Sequence, residues 1–120
     1  MYQYYFEKLT VWQDAKDLVV MTYKLTQKFP KQEMYGLTSQ LQRAAVSVTA
    51  NISEGSSRST SKDQANFSTM AYASLMEVLN LIIIALELEY IDADEYVVFR
   101  QQIDMVANKI NALRKKQKDS

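Results

Sequence analysis

A chain of 120 residues that is 48% apolar, with two glycines and one proline, carries enough core-forming side chains for one folded domain and few breakers. Fourteen basic residues cancel fourteen acidic ones, so the overall electrostatic pull of a dedicated nucleic-acid binder is missing. Cysteine and histidine are both absent, which excludes disulfides, thiolate chemistry, histidine-bound metals and serine–histidine triads together and suits a cytoplasmic setting.

The opening MYQYYFEKL has no basic stretch followed by an apolar run, so no secretory signal is expected. It is dense in aromatics. Phe6, Leu9 and Trp12 are predicted to close one end of the domain, with Tyr2, Tyr4 and Tyr5 left as an interface patch. A first helix is predicted over about 10–29, from Thr10 as N-cap to the stop at Pro30, with Val11, Ala15, Leu18, Val19, Thr22, Leu25 and Phe29 on one face. A second runs over about 37–54 and stops at Gly55. The polar run Ser56–Ser61 connects it to a third over about 61–88, opened by a Ser61/Gln64 capping pair. The fourth covers about 92–115, opened by Asp92 with Glu95 in the same relation, and Tyr96, Phe99, Ile103, Val106, Ile110 and Leu113 recur along it as a heptad seam.

No segment alternates with period two over a strand length. Residues 1–120 therefore read as a single all-α domain, an antiparallel up-down four-helix bundle. The third helix carries one core face (Phe67, Met70, Ala71, Ser74, Leu75, Val78, Ile82, Ala85) and further apolar residues outside it (Leu79, Leu81, Ile83, Ile84, Leu86, Leu88). A helix apolar nearly all round needs cover nearly all round, which predicts self-association. Its longest apolar run, Leu81–Leu86, is too short for a bilayer, which needs about 20 such residues, so no membrane partner is expected.

The second helix carries the densest pattern. Beside the apolar stripe Leu37, Leu41, Ala44, Ala45, Val48 and Ile52, the residues Gln40, Arg43, Ser47, Asn51 and Glu54 fall in one polar row, with Glu77 and Ser74 of the third helix as potential neighbours. Such a row is a solvated face, a partner-binding face or a buried seam, with Arg43 suited to a carboxylate or phosphate. Next to an over-apolar helix it reads as a structural polar seam fixing how helices or subunits register. The Asn51-Ile52-Ser53 sequon has no role in a helix without a secretory signal.

Nothing in the chain assembles a catalytic set. Glu87, Glu89, Asp92, Asp94 and Glu95 crowd one link, but a di-metal carboxylate bundle needs Glu-x-x-His pairs, and capping accounts for the Asp92 end. No EF-hand loop, glycine-rich phosphate loop or nucleophile–base pair occurs, so neither enzyme activity nor a metal or cofactor is expected. Arg58 and Lys62 beside the serine-rich link, and Arg114, Lys115, Lys116 and Lys118 near the C-terminus, are the residues suited to a nucleic-acid backbone; an ordinary connector and a solubilising tail are the competing readings.

Several blocks occur in an ordered series: Phe6-Glu-Lys-Leu9 with Val11-Trp12-Gln13, Phe29-Pro30, Glu33-x-Tyr35-Gly36-Leu37-Thr38, Gln40-Leu41-x-Arg43-Ala44-Ala45-Val46-Ser47-Val48, Ala50-Asn51-Ile52-Ser53-Glu54-Gly55, and Ser74-Leu75-x-Glu77. On these the chain, over about residues 6–113, resembles the four-helix-bundle family encoded within intervening sequences of bacterial 23S ribosomal RNA genes. It is also similar to the accessory variability determinant proteins of diversity-generating retroelements. The first resemblance implies a homopentameric bundle with no known catalytic residues. The second implies a basic pentamer that binds nucleic acid and a reverse transcriptase, from which this chain departs in its neutral charge. The expected function is that of a non-enzymatic, cytoplasmic, homo-oligomeric interaction or scaffold protein, the alternative being weak RNA or DNA binding by basic patches on the assembled ring.

Overall fold

The computed structural model describes residues 1–120. Four α-helices form it: α1 (Thr10–Thr26), α2 (Leu37–Ser56), α3 (Ser61–Glu87) and α4 (Ala93–Lys118), with 3-10 turns at Tyr5–Lys8 and Lys31–Glu33 and no strand. Each follows its predecessor antiparallel, as short links require. α3 is the central helix, packed extensively on both α2 and α4, while α1 closes the bundle less tightly against α2 and α4. The core is one cluster that includes Val11, Ala15 and Leu18 of α1, Leu41, Val48 and Ile52 of α2, Leu75, Val78 and Ile82 of α3, and Phe99, Ile103, Val106 and Ile110 of α4. The heptad residues of α4 thus face inward, with Tyr96 and Leu113 half-buried at its ends. By length and composition α3 also resembles a membrane-crossing helix; in this fold Leu75, Val78, Leu81 and Ile82 are buried in the core, whereas Met70, Ile83 and Ile84 are exposed.

The helix ends correct several expectations. Leu9, not Thr10, is the N-cap of α1, and no side chain caps it. α1 stops at Thr26, short of Phe29. Thr22 and Thr26 donate their buried hydroxyls to the carbonyls four residues back, at 2.8 and 2.9 Å, and the chain then turns so that Phe29 packs on Tyr90 with ring centroids 5.5 Å apart. At the start of α2 the Glu33 carboxylate accepts from the Leu37 N–H at 3.2 Å, and a Cβ on Gly36 would sit 2.8 Å from that carboxylate. Gly55 does not stop α2. It lies inside the helix, buried, where α2 approaches Phe67 of α3. Thr60 rather than Ser61 caps α3, accepting from the Asp63 N–H at 3.1 Å, and Gln64 donates to the Arg58 carbonyl instead of closing a capping box. Met70, placed on the core face of α3 by its spacing, is exposed, whereas Leu81 is buried.

The link from α3 to α4 has neither Gly nor Pro. Glu89 adopts φ 62°, and the Tyr90 and Glu89 N–H groups reach back to the carbonyls of Ala85 and Leu86 at 2.9 and 3.0 Å. That pattern satisfies the orphan carbonyls and reverses the chain. α4 then opens with the expected capping box, Glu95 N–H to Asp92 at 2.8 Å and Asp92 N–H to Glu95 at 2.9 Å. Glu95 also accepts from Lys28, in the turn after α1, at 2.7 Å. The Lys28 ammonium first, and the Asp92 N–H second, hold the Glu95 carboxyl below its ordinary range. A depressed carboxyl stabilises the fold above its unfolded pKa, and that contribution disappears as pH falls through the folded value. Urea midpoints measured from pH 7 to pH 3 are expected to fall less steeply for Glu95→Gln than for the natural chain; parallel curves would show that the pair contributes nothing.

Candidate functional site

The polar row of α2 lies along the rim of the groove between α2 and α3. Ser47 and Ser74 share a hydrogen bond at 2.9 Å across that groove, and Asn51 Nδ2 donates to the Ser47 carbonyl and hydroxyl at 2.9 and 3.2 Å. These two α2 residues are half-buried and form a helix–helix seam, since small hydroxyl-bearing side chains let the helices approach and satisfy each other there. Gln40, Arg43 and Glu54 are exposed, as is Glu77 on α3. The chain's four ion pairs lie elsewhere: Lys28–Glu95, Arg58–Asp63, Arg100–Asp104 and Lys109–Asp14. Arg43, Glu54 and Glu77 therefore stand without an intramolecular charge partner.

On α3, Ser74 marks the row beside α2. Steps of seven keep Met70, Glu77 and Ile84 together on one side of the helix, next to that row. Met70, Ile84 and Leu88 are 43, 39 and 50% exposed. The α2–α3 face therefore combines uncommitted charges with uncovered apolar side chains. A second apolar depression, of about 490 Å³, lies between α1 and α4 and includes Met21, Leu25, Val98 and Phe99. Sequence periodicity does not reveal it, because Met21 and Val98 belong to no predicted stripe.

The basic residues divide. Lys62 and Lys118 line one depression of about 270 Å³ with Ser61, Asn66 and Gln117, and Lys116 lines a neighbouring cavity with Leu9, Ile52 and Leu113. Lys115 is exposed. Arg58 is drawn into packing: its guanidinium lies over the Phe67 ring at 4.5 Å and 3.9 Å from Asp63. Arg114 lies over Tyr72 at 5.1 Å and donates to Asn111 at 2.7 Å. The opposite end of the bundle carries Glu33, Glu87, Glu89, Asp92 and Asp94, so a chain with no net charge is polarised along its length. There the Tyr90 hydroxyl donates to Glu33 at 2.8 Å, and that bond, with burial and the Glu33 charge, holds the phenol above its ordinary range. No group of three or more carboxylates converges as a metal site; in the crowded link, Asp92 and Glu95 are engaged in capping.

Tyr2, Tyr4 and Tyr5 are 76, 62 and 63% exposed. Phe6 packs edge-on to Trp12 at 5.0 Å, and Leu9 and Trp12 rest on the core. Tyr35, in the link before α2, is 93% exposed. Aromatic density in the sequence marks the N-terminal group; nothing in local spacing marks Tyr35 as uncovered.

Fold and surface define a class: an antiparallel four-helix-bundle protein whose uncommitted side chains lie on helix faces and bundle ends. The chain belongs to the 23S rRNA-intervening sequence protein family, whose profile matches residues 7–112. A solved structure of a protein of unknown function from the S23 ribosomal protein family of Bacteroides thetaiotaomicron has the same fold, with a TM-score of 0.81 at 19% identity, covering 88% of this chain and 98% of that one. No curated protein matches the chain. The family match leaves out the tyrosines at positions 2, 4 and 5 and the basic residues Arg114, Lys115, Lys116 and Lys118.

Proposed function

We propose that this protein is a non-enzymatic, cytoplasmic interaction protein that works as a closed homo-oligomer of five copies, with the α2–α3 face covered in the assembly. The observation that carries this reading is the coincidence on one face of Arg43, Glu54 and Glu77, none ion-paired within the chain, with exposed Met70, Ile84 and Leu88. Apolar side chains in such numbers beside unpaired charges suit a protein interface, where the apolar groups lose water and the charges set register. The count of five follows from the resemblance of the sequence to the intervening-sequence bundles.

Light scattering at low micromolar concentration is expected to give about 70 kDa, five times the 13.9 kDa chain; a monodisperse monomer rejects the reading. Ile84→Lys is expected to leave the helical content unchanged, because the residue is exposed in the single chain, and to reduce the mass toward that of a monomer. Arg43→Met tests the polar row in the same assay. Unchanged assembly in both variants moves the interface off this face.

A second reading rests on the convergence of Lys62, Lys116 and Lys118 at one end. A ring would repeat that cluster and let it contact an RNA or DNA backbone. Binding should then be strongest at low salt and fall steeply as salt rises, and Lys62→Glu/Lys118→Glu should weaken it for all sequences alike. Absence of binding at low salt rejects this reading.

A further inference from the structure

We propose that the N-terminal tyrosines and the end of α2 form a binding site for a soft organic cation, a guanidinium or a methylated ammonium group. A depression of about 440 Å³ is lined by Tyr2, Tyr4, Tyr5, Phe6, Glu54 and the serines at 53, 56 and 57. Its walls are electron-rich. The Tyr2 and Tyr4 rings meet nearly at right angles, 80° apart with centroids at 4.9 Å, so two differently oriented aromatic surfaces stand side by side. Glu54 supplies a carboxylate with neither an ion pair nor a side-chain hydrogen bond within the chain.

The serines sharpen the chemistry. Ser53 donates its hydroxyl proton to the Ala50 carbonyl at 3.0 Å, Ser56 to the Ser53 backbone carbonyl at 2.8 Å and Ser57 to the Glu54 backbone carbonyl at 2.7 Å. With those protons engaged in the helix, each oxygen has only lone pairs left to offer. Among the lining side chains the phenols alone keep a proton to donate, so an anion finds few partners and a cation finds many. No lysine or arginine of the chain lines the depression, and the nearby Arg58 is held by Phe67 and Asp63. Aromatic faces beside a carboxylate are the arrangement that recognises guanidinium and quaternary ammonium groups.

The arm is also positioned. The Tyr4 N–H donates to Glu7 at 2.7 Å, Gln13 donates to the Glu7 carbonyl at 2.9 Å, and the turn Tyr5–Lys8 packs on both α1 and α2. The rings are therefore presented against α2 before any ligand arrives, which lowers the ordering cost of binding. Glu54, at the end of α2, is shared with the assembly reading, but the tyrosines are not. The mass of the Ile84 and Arg43 variants and cation binding by the Tyr4 variants are therefore independent readouts, and either reading can fail alone.

The cation is either a guanidinium or a methylated ammonium group. NMR titration at constant ionic strength distinguishes these, with tetramethylammonium, N-acetyl-arginine amide and neutral tert-butanol as probes. One or both cations should shift the Tyr2, Tyr4 and Tyr5 ring resonances at millimolar concentration, and tert-butanol should not. Preference for the arginine compound assigns a guanidinium as ligand, and preference for tetramethylammonium a methylated amine. Tyr4→Ala and Glu54→Gln should each weaken binding about tenfold, whereas Tyr4→Phe, which keeps the ring, should not. These residues are exposed, so unchanged far-ultraviolet circular dichroism is expected in all three variants. Absence of cation binding, equal binding of tert-butanol, or full affinity in Glu54→Gln overturns the proposal.

Discussion

Replacing Leu75 by alanine is expected to lower the unfolding free energy by about 3 kcal/mol, in the range found when a fully buried leucine is truncated in a close-packed core. Leu75 is completely buried at the centre of α3, the one helix packed extensively on two neighbours. Its level is fixed by the adjacent Ser74, tied to Ser47 at 2.9 Å, so α2 and α3 cannot close readily over the space left behind. The loss is the transfer free energy of the deleted carbons plus the cavity that remains. Urea unfolding at fixed protein concentration measures it, because stability in an assembling protein depends on concentration. A loss below about 1 kcal/mol would show that the α2–α3 packing relaxes far more freely than the seam implies.

The second large effect sits at Gly55 and has a sign that distinguishes two physical arguments. Inside an ordinary helix, glycine to alanine is expected to stabilise by roughly 0.5–1 kcal/mol, because alanine loses less backbone entropy on folding. Gly55 lies inside α2, but a Cβ built there would stand 2.7 Å from Cβ of Phe67. That contact involves atoms next to both backbones, so no rotamer change relieves it and α2 must move away from α3. Gly55→Ala is therefore expected to destabilise by about 1–3 kcal/mol, the usual cost of overpacking, and Gly55→Val by more. Thermal or urea unfolding decides the matter; a more stable Gly55→Ala protein would mean that helix propensity outweighs close approach.

That glycine shows where reading from sequence reaches and where it stops. Glycine after an apolar-periodic run is the common signature of a helix end, and local rules give no means of telling that signature from a glycine retained for contact with a residue twelve positions ahead. Thr10 and Ser61 fail as caps for a related reason. Each is a good capping residue beside a position that captures the role through the path of the chain, Leu9 leaving the 3-10 turn and Thr60 reaching the Asp63 N–H. The Asp92–Glu95 box, by contrast, is entirely local, and it forms as its spacing predicts. The heptad seam of α4 is legible because one helix buries one stripe whatever its neighbours are.

The functional surface is only half legible. Spacing suffices to place Gln40, Arg43, Ser47, Asn51 and Glu54 in one row. It does not suffice to divide that row into a packed centre at Ser47 and Asn51 and free ends at Arg43 and Glu54, because the division depends on how close α3 lies. The basic residues behave alike: six sequence positions suited to phosphate become a lysine cluster at one end, with Arg58 and Arg114 laid over aromatic rings.

The sequence by itself determined the class of fold, the number and order of the helices, the family and the lack of any nucleophile–histidine or thiolate chemistry, since these rest on periodicity, composition and ordered blocks of residues. Tertiary structure alone decided which charges lack partners, which apolar residues of α3 remain uncovered, that Gly55 is a contact and not a stop, and that three tyrosines share a depression with Glu54. Those properties depend on distances between residues remote in sequence or on different elements. Such distances are set when whole helices pack, and no local rule of spacing contains them.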